Sequence, residues 1–403
     1  MSLLKKKGAH QWRGVIDEYR KRLPVSSKTP VITLREGGTP LVKAETLSAM
    51  LDNDVWLKVE GANPTGSFKD RGMTMAISKA AEEGAQAVIC ASTGNTSASA
   101  AAYATKAGMR PVVLVPQGKI AMGKLAQAIA HGSSLIQVDG NFDDCLNLAR
   151  DLSANYPVAL VNSVNPFRIE GQKTAAFEIN EALGSVPHVL ALPYGGGGNT
   201  VAYCKGFAEE GVRPRILQGE ATERSTTLAT AIRIADPAHQ HEIDDLDAEG
   251  WLERVALSDE EIAQAWHEIA NSEGLFCEPS SAAGFAALER MALHHAGEPA
   301  RHVIAHVDVL REYLSRRFPS AHPALTPSEF VARLADEPFP SRRDALEALL
   351  TRDAELRFAA TPLDAESAEA LAAEARRIVR DVQDAHEARM RAADVGPQRP
   401  RRR

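Results

Sequence analysis

A lysine held as a nucleophilic amine can do covalent chemistry, and this chain offers one in "EGANPTGSFKDRGMT", residues 60–74, where Lys69 stands between Phe68 and Asp70. Thr65, Gly66 and Ser67 just before it leave room and donors for an anion beside the amine. The plain alternative is a solvated charge, because N-P-T-G-S is a loop by its turn chemistry.

Two further stretches suit anions. "ASTGNTSAS", residues 91–99, follows an apolar run and opens a helical one, so Ser92, Thr93, Gly94, Asn95 and Thr96 present N–H groups and hydroxyls at a helix start. An ordinary N-cap with a tight turn would look the same. "YGGGGNT", residues 194–200, is more demanding, since four consecutive glycines cost backbone entropy unless the chain must wrap closely around something. A phosphate is the natural guest of Gly195, Gly196, Gly197, Gly198 and Asn199, with a flexible turn as the bland reading. A lysine able to form a Schiff base, near a loop that holds a phosphate, is what pyridoxal phosphate requires.

Such groups need a scaffold. The 403 residues, 44% hydrophobic, are enough for two or three domains with a sizeable core. Charge is nearly balanced, 46 basic against 53 acidic residues, so neither nucleic acid nor an anionic membrane is the expected partner. Cys90, Cys145, Cys204 and Cys277 form no C-x-x-C pair, which argues against a disulfide framework and a zinc site. The N-terminus lacks an apolar leader, no run approaches the ~20 residues of a membrane helix, and a cytoplasmic location is expected. Short β-branched runs alternate with Ala-rich ones: "AQAVICAS", "RPVVLVP" and "SLIQVDG", then "HVLALPY", "PRILQGE" and "RHVIAHV". That rhythm predicts an α/β protein with two series of parallel strands and flanking helices. Ligands in such sheets bind beyond the carboxyl ends of the strands.

The strings "WRGVIDEYRKRLPV", "LREGGTPLV", "EGANPTGSFKDRGMT", "CASTGNTSASAAAYA", "GKIAMGKLAQAIAHG" and "LVNSVNPFRIEGQKTAAFEI" resemble threonine synthase, of the shorter bacterial type within the fold-type II pyridoxal-phosphate enzymes. The resemblance implies the tryptophan synthase β-like two-domain fold. Residues 1–60 and 161–324 would form a large cofactor-binding domain and 61–160 a small mobile one; the resemblance ends near residue 325, and 325–403 reads from its own residues as a helical extension with a basic, disordered tail. The resemblance also implies a homodimer acting on a small phosphorylated amino acid, O-phospho-L-homoserine, with phosphate leaving from Cγ and water adding at Cβ. Lys69 would be the Schiff-base lysine and proton shuttle, with Phe68 beside it; Asn95 would face the cofactor's ring hydroxyl and Gly195 to Asn199 its phosphate. Ser92, Thr93 and Thr96 would take the substrate carboxylate. Lys119, Asn162, Ser163, Asn165 and Arg168 would line the subsite for the substrate's far anion, donors that suit a dianionic oxygen cluster.

The departures set other expectations. The family's phosphate loop reads G-N-A-G-N where this chain has four glycines. Its T-G-N-G-L-K-D, whose threonine meets the pyridine nitrogen, is missing, and Asp308 at the end of "RHVIAHV" takes that place. A carboxylate there would favour a protonated ring; the alternative is that Asp308 merely caps a helix. Beyond residue 325 the chain is charged and helical, with Ala370, Leu371, Ala375, Ile378, Val379 and Val382 in an apolar stripe. The "HQHE" at 239–242, His294 and His295 read as exposed, with no third metal ligand nearby. Two other activities fit the same residues: β-replacement or dehydration of phosphoserine- or threonine-like substrates, and a cofactor-binding regulator without catalysis.

Overall fold

The computed structural model describes residues 10–51, 53–117, 122–295, 299–318, 320–321, 325–334, 339, 342–358 and 363–394. The chain divides into two compact units, Met1–Leu288 and Glu289–Arg403. The basic end of the tail, residues 395–403, lies outside the described residues.

In the first unit, β1 (Leu41–Lys43) and β2 (Trp56–Lys58) form an antiparallel pair. Then β3 (Ala87–Ala91), β4 (Arg110–Pro116), β5 (Ser134–Val138) and β6 (Val158–Leu160) make a parallel sheet in the order β5-β4-β3-β6. A second parallel sheet runs β7 (Val189–Pro193), β8 (Arg215–Ala221), β9 (Leu252–Leu257). Parallel strands need crossovers, which the helices Asn95–Lys106, Phe142–Asn155 and Gly198–Glu209 begin after β3, β5 and β7.

The centre of the first sheet is covered on both faces, as its unbroken apolar runs require. Val88, Cys90, Val113 and Val115 pack with Met73 and Ile77 of the helix Lys69–Glu82 and with Ala100 to Ala104. Ile89, Ala91 and Leu114 face the other way, onto Cys145 and Ala149. The period of two in β3 thus fixes which face the lysine-bearing helix occupies.

Close approach of backbones brings a second helix against it. A Cβ on Gly171 would fall 1.8 Å from the Arg71 carbonyl oxygen, and one on Gly72 would fall 2.9 Å from that of Arg168. The helices Lys69–Glu82 and Pro166–Gln172 therefore cross where both lack a side chain. Arg71 is buried at this crossing. It donates from Nε and Nη2 to Glu60, both at 2.7 Å, and from Nη1 and Nη2 to Glu178, at 2.5 and 2.7 Å. Lys58 Nζ also reaches Glu178 at 2.7 Å, so two cations meet two anions. Removing one member of such a buried set costs about 3–5 kcal/mol, because its partners stay behind unpaired.

The second unit is helical: Pro299–Arg317, Pro327–Arg333, Arg343–Phe358 and Ala365–Asp394. The expected "RHVIAHV" strand lies inside the first of these. Val303, Val307, Leu310 and Leu314 recur at helical spacing and are all buried, so the run is part of a longer 3.6-residue period. Asp308 consequently stands within a helix, exposed, and neither ends a strand nor caps a helix. The strand-end placement that suggested it for the pyridine nitrogen is gone. The stripe holding Leu371, Ala375, Ile378, Val379 and Val382 packs into this unit's own core with Val303, Leu310, Phe330 and Leu346.

Candidate active site

Lys69 is the first residue of its helix and directly follows Phe68, whose ring centre lies 3.8 Å from Nζ. What holds it there is the next residue. Asp70 is buried and accepts from Thr65 N at 2.7 Å, Thr65 Oγ1 at 2.6 Å and Ser99 Oγ at 2.5 Å. The carboxylate ties the P-T-G-S turn to the helix Asn95–Lys106, and burial raises its pKa while the three donors oppose that. The lysine amine is pushed down to about 7, by burial first and then by the Arg168 charge, against the pull of Glu278. Near neutral pH a large fraction of it is the free amine that attacks a carbonyl.

Arg168 is buried and lowered to about 10 by desolvation. Its Nη1 donates to the Val161 carbonyl at 3.4 Å, and its Nε is buried without a hydrogen-bond partner. A desolvated guanidinium with a donor unspent is prepared for an anion. Asn95 opens its helix and donates from Nδ2 to both Glu278 oxygens at 3.1 Å. A carboxylate only accepts, which fixes the amide's orientation and leaves Oδ1 buried with no partner.

The glycine loop connects β7 to the helix Gly198–Glu209. Gly197 caps that helix at φ 81°, a left-handed conformation that favours glycine, and the first turn beyond it offers N–H groups. The loop is hemmed in: a Cβ on Gly195 would come 3.2 Å from Ile232, and one on Gly197 3.0 Å from Ile243. Ser92, Thr93 and Thr96 are half-buried after β3, with Gly94 N donating to Ser92 Oγ at 3.1 Å.

Two expected ligand residues serve the framework instead. Asn162 accepts from Ala91 N at 3.0 Å and donates to Ala91 O at 2.9 Å, spending both ends of its amide on the end of β3. Asn165 caps the helix Pro166–Gln172 through Phe167 N and donates to Leu160 O, which orients the helix carrying Arg168. Lys119 lies outside the described residues. His239, read as exposed, is buried, with Nε2 3.1 Å from the Ser163 carbonyl and Nδ1 3.0 Å from Glu242; His241 is exposed as expected. The side chains of His294 and His295 lie outside the described ones. Glu278 was also missed, since its only signal was an acid before the proline that begins the helix Pro279–His295.

A family model described as "Pyridoxal-phosphate dependent enzyme" matches residues 32–308. Threonine synthase of Mycobacterium leprae is 54% identical over 299 residues, 69% of this chain and 83% of that protein. The chain belongs to the threonine synthases among the pyridoxal-phosphate dependent enzymes. Threonine synthase of a Synechocystis species is 52% identical over 299 residues, covering 70% and 78% of the two chains. A solved fungal L-serine ammonia-lyase from Rhizomucor miehei superposes with a TM-score of 0.57 at 22% identity, over 72% of this chain and 90% of that one, and shares the fold. The residues fit the cofactor of this threonine synthase-like site: an amine near neutrality, a crowded glycine turn at a helix start, and a buried amide oxygen awaiting a donor. Among the described residues no cluster could hold a metal ion, and no helix is long and apolar enough to cross a membrane.

Proposed function

We propose that this chain converts O-phospho-L-homoserine and water into L-threonine and inorganic phosphate. The observation that carries the reading is the pairing of a lysine amine shifted to about 7 with a buried arginine that has an unspent donor. Its threonine synthase relatives support the same reaction.

Pyridoxal phosphate, when bound, supplies an aldehyde for the amino group and an electron sink for charge developing on the substrate carbons. The protein supplies placement and proton transfer. Lys69 would hold the cofactor aldehyde, and its amine, titrating near neutrality, is suited to accept and return the proton at the substrate α-carbon. Glu278 holds Asn95 so that its Oδ1 would be left to accept from the cofactor's ring hydroxyl. Gly195 to Gly198, with Asn199, take the cofactor phosphate on backbone N–H groups at a helix start. Ser92, Thr93 and Thr96 orient the substrate carboxylate. Arg168 receives the substrate's phosphate and steadies it as it leaves, while Asn162 and Asn165 hold the backbone around it. Ser163 contributes its carbonyl to the same framework. Residues 61–160, which contain β3 to β6, act as a mobile domain, and the protein works in the cytoplasm as a homodimer. Asp308 has no part in this reading.

The test is to incubate the cofactor-loaded protein with O-phospho-L-homoserine, O-phosphoserine and threonine, following phosphate and amino-acid products. Equimolar threonine and phosphate from the first substrate is expected. Cofactor binding with the substrate left unchanged, or turnover of the other two only, would overturn the proposal.

A further inference from the structure

His239 precedes the helix Gln240–Ala248, and its contacts join two loops of the site. Its backbone N donates to the Gly196 carbonyl at 3.2 Å. Its side chain packs on the same loop: a Cβ added to Gly197 would come 3.1 Å from His239 Cβ, and one on Gly198 would come 3.1 Å from the ring Cδ2. The same Cδ2–Nε2 edge of the ring also meets a different segment. Nε2 lies 3.1 Å from the carbonyl of Ser163, an oxygen that only accepts, so Nε2 carries the proton in this bond. Ser163 sits between Asn162, fastened to the end of β3, and Asn165, which caps the helix bearing Arg168.

We propose that His239 is a positioning residue that sets the spacing between the glycine loop and the Asn162–Arg168 segment. The inference rests on the reading of these segments as the cofactor-phosphate and substrate-phosphate subsites. His239 touches neither ligand. It acts by holding two backbones, one by its own N–H and the packing of its side chain, the other by Nε2–H. Glu242, 3.0 Å from Nδ1, fixes the ring's direction. A Cβ on Gly198 would crowd the ring edge that meets Ser163, whereas Gly197 is already favoured by its φ of 81°.

The two amide replacements separate the contacts. In His239→Gln the amide nitrogen falls near the place of Nε2 and can still reach Ser163. In His239→Asn it falls near Nδ1, keeps Glu242 and loses Ser163. Both variants and the parent protein would be stripped of cofactor and titrated with pyridoxal phosphate and with pyridoxal, then assayed with O-phospho-L-homoserine at saturating cofactor. His239→Asn is expected to weaken pyridoxal phosphate by about three- to tenfold, the worth of one hydrogen bond. Pyridoxal binding should hardly change, KM for the substrate should rise more than kcat falls, and His239→Gln should stay close to the parent. Equal behaviour of the two variants, or an equal loss of pyridoxal and pyridoxal phosphate, would overturn the proposal. A parent protein that does not prefer pyridoxal phosphate over pyridoxal would instead remove the glycine-loop reading itself, and this inference with it.

Discussion

Around the lysine, the interior of the first unit holds Arg71, Glu178, Asp70 and Arg168, whereas the interior of the second is built from Val303, Val307, Leu310, Leu314, Ile378 and Val382. Buried charge is costly and is kept only where partners and purpose compensate it. In the first unit it does two jobs. Arg71 and Asp70 spend their hydrogen-bonding capacity on holding segments together, while Arg168 keeps a donor in reserve. The second unit, where Arg311 and Asp353 are the buried charges among the described residues, follows the ordinary arithmetic of apolar burial. The lesson is that burial of a cation does not by itself mark a site, and Arg168 is set apart by an unspent Nε together with a charge that acts on the Lys69 amine.

Four substitutions and one titration sharpen this contrast. The largest expected effect belongs to Lys69→Ala, which should reduce threonine formation on the order of 10³-fold or more while leaving the fold intact by circular dichroism. Arg71→Met comes next. It strands Glu60 and Glu178 and should lower unfolding free energy by about 3–5 kcal/mol in denaturant titration. Arg168→Met should lower kcat/KM for the phosphorylated substrate by about 2–5 kcal/mol of transition-state stabilisation and alter cofactor affinity far less. An equal stability loss in Arg71→Met and Arg168→Met would erase the distinction between spent and reserved cations.

In the second unit, Leu310→Ala should cost about 2–5 kcal/mol of stability through the cavity it leaves. Pyridoxal phosphate affinity should not change, and a parallel loss of cofactor would join the two cores in one function. The smallest effect is a slope. With Lys69 lowered to about 7 in the folded state and near 10.4 unfolded, the unfolded chain binds more protons between these values. Stability of the cofactor-free protein should therefore rise with pH across that window. Lys69→Met should flatten that rise, and an unchanged slope would show that the amine is not buried as described.

Much of the first unit was legible because its signals were local. The strands β3, β4 and β7 lie where short β-branched runs stand before small-residue loops, and the lysine's place at a helix start follows from P-T-G-S-F-K. "RHVIAHV" misled because seven residues of mostly apolar sequence serve a strand or a helix equally, and only the later Leu310 and Leu314 reveal the longer period. Asn162 and Asn165 have donors of the right kind for a phosphate, yet amides serve backbone groups just as well, and which they meet depends on the return of β6 beside β3. His239 and Glu278 were hidden for the same reason, since their partners Ser163 and Asn95 are far away in sequence.

The most direct test of the site is chemical. Protein incubated with pyridoxal phosphate would be reduced with borohydride, digested and mapped by mass spectrometry. The pyridoxyl group is expected on Lys69 alone, with the label absent from Lys69→Ala. Stoichiometric label on a different lysine would contradict the assignment of the active site to the start of the helix Lys69–Glu82.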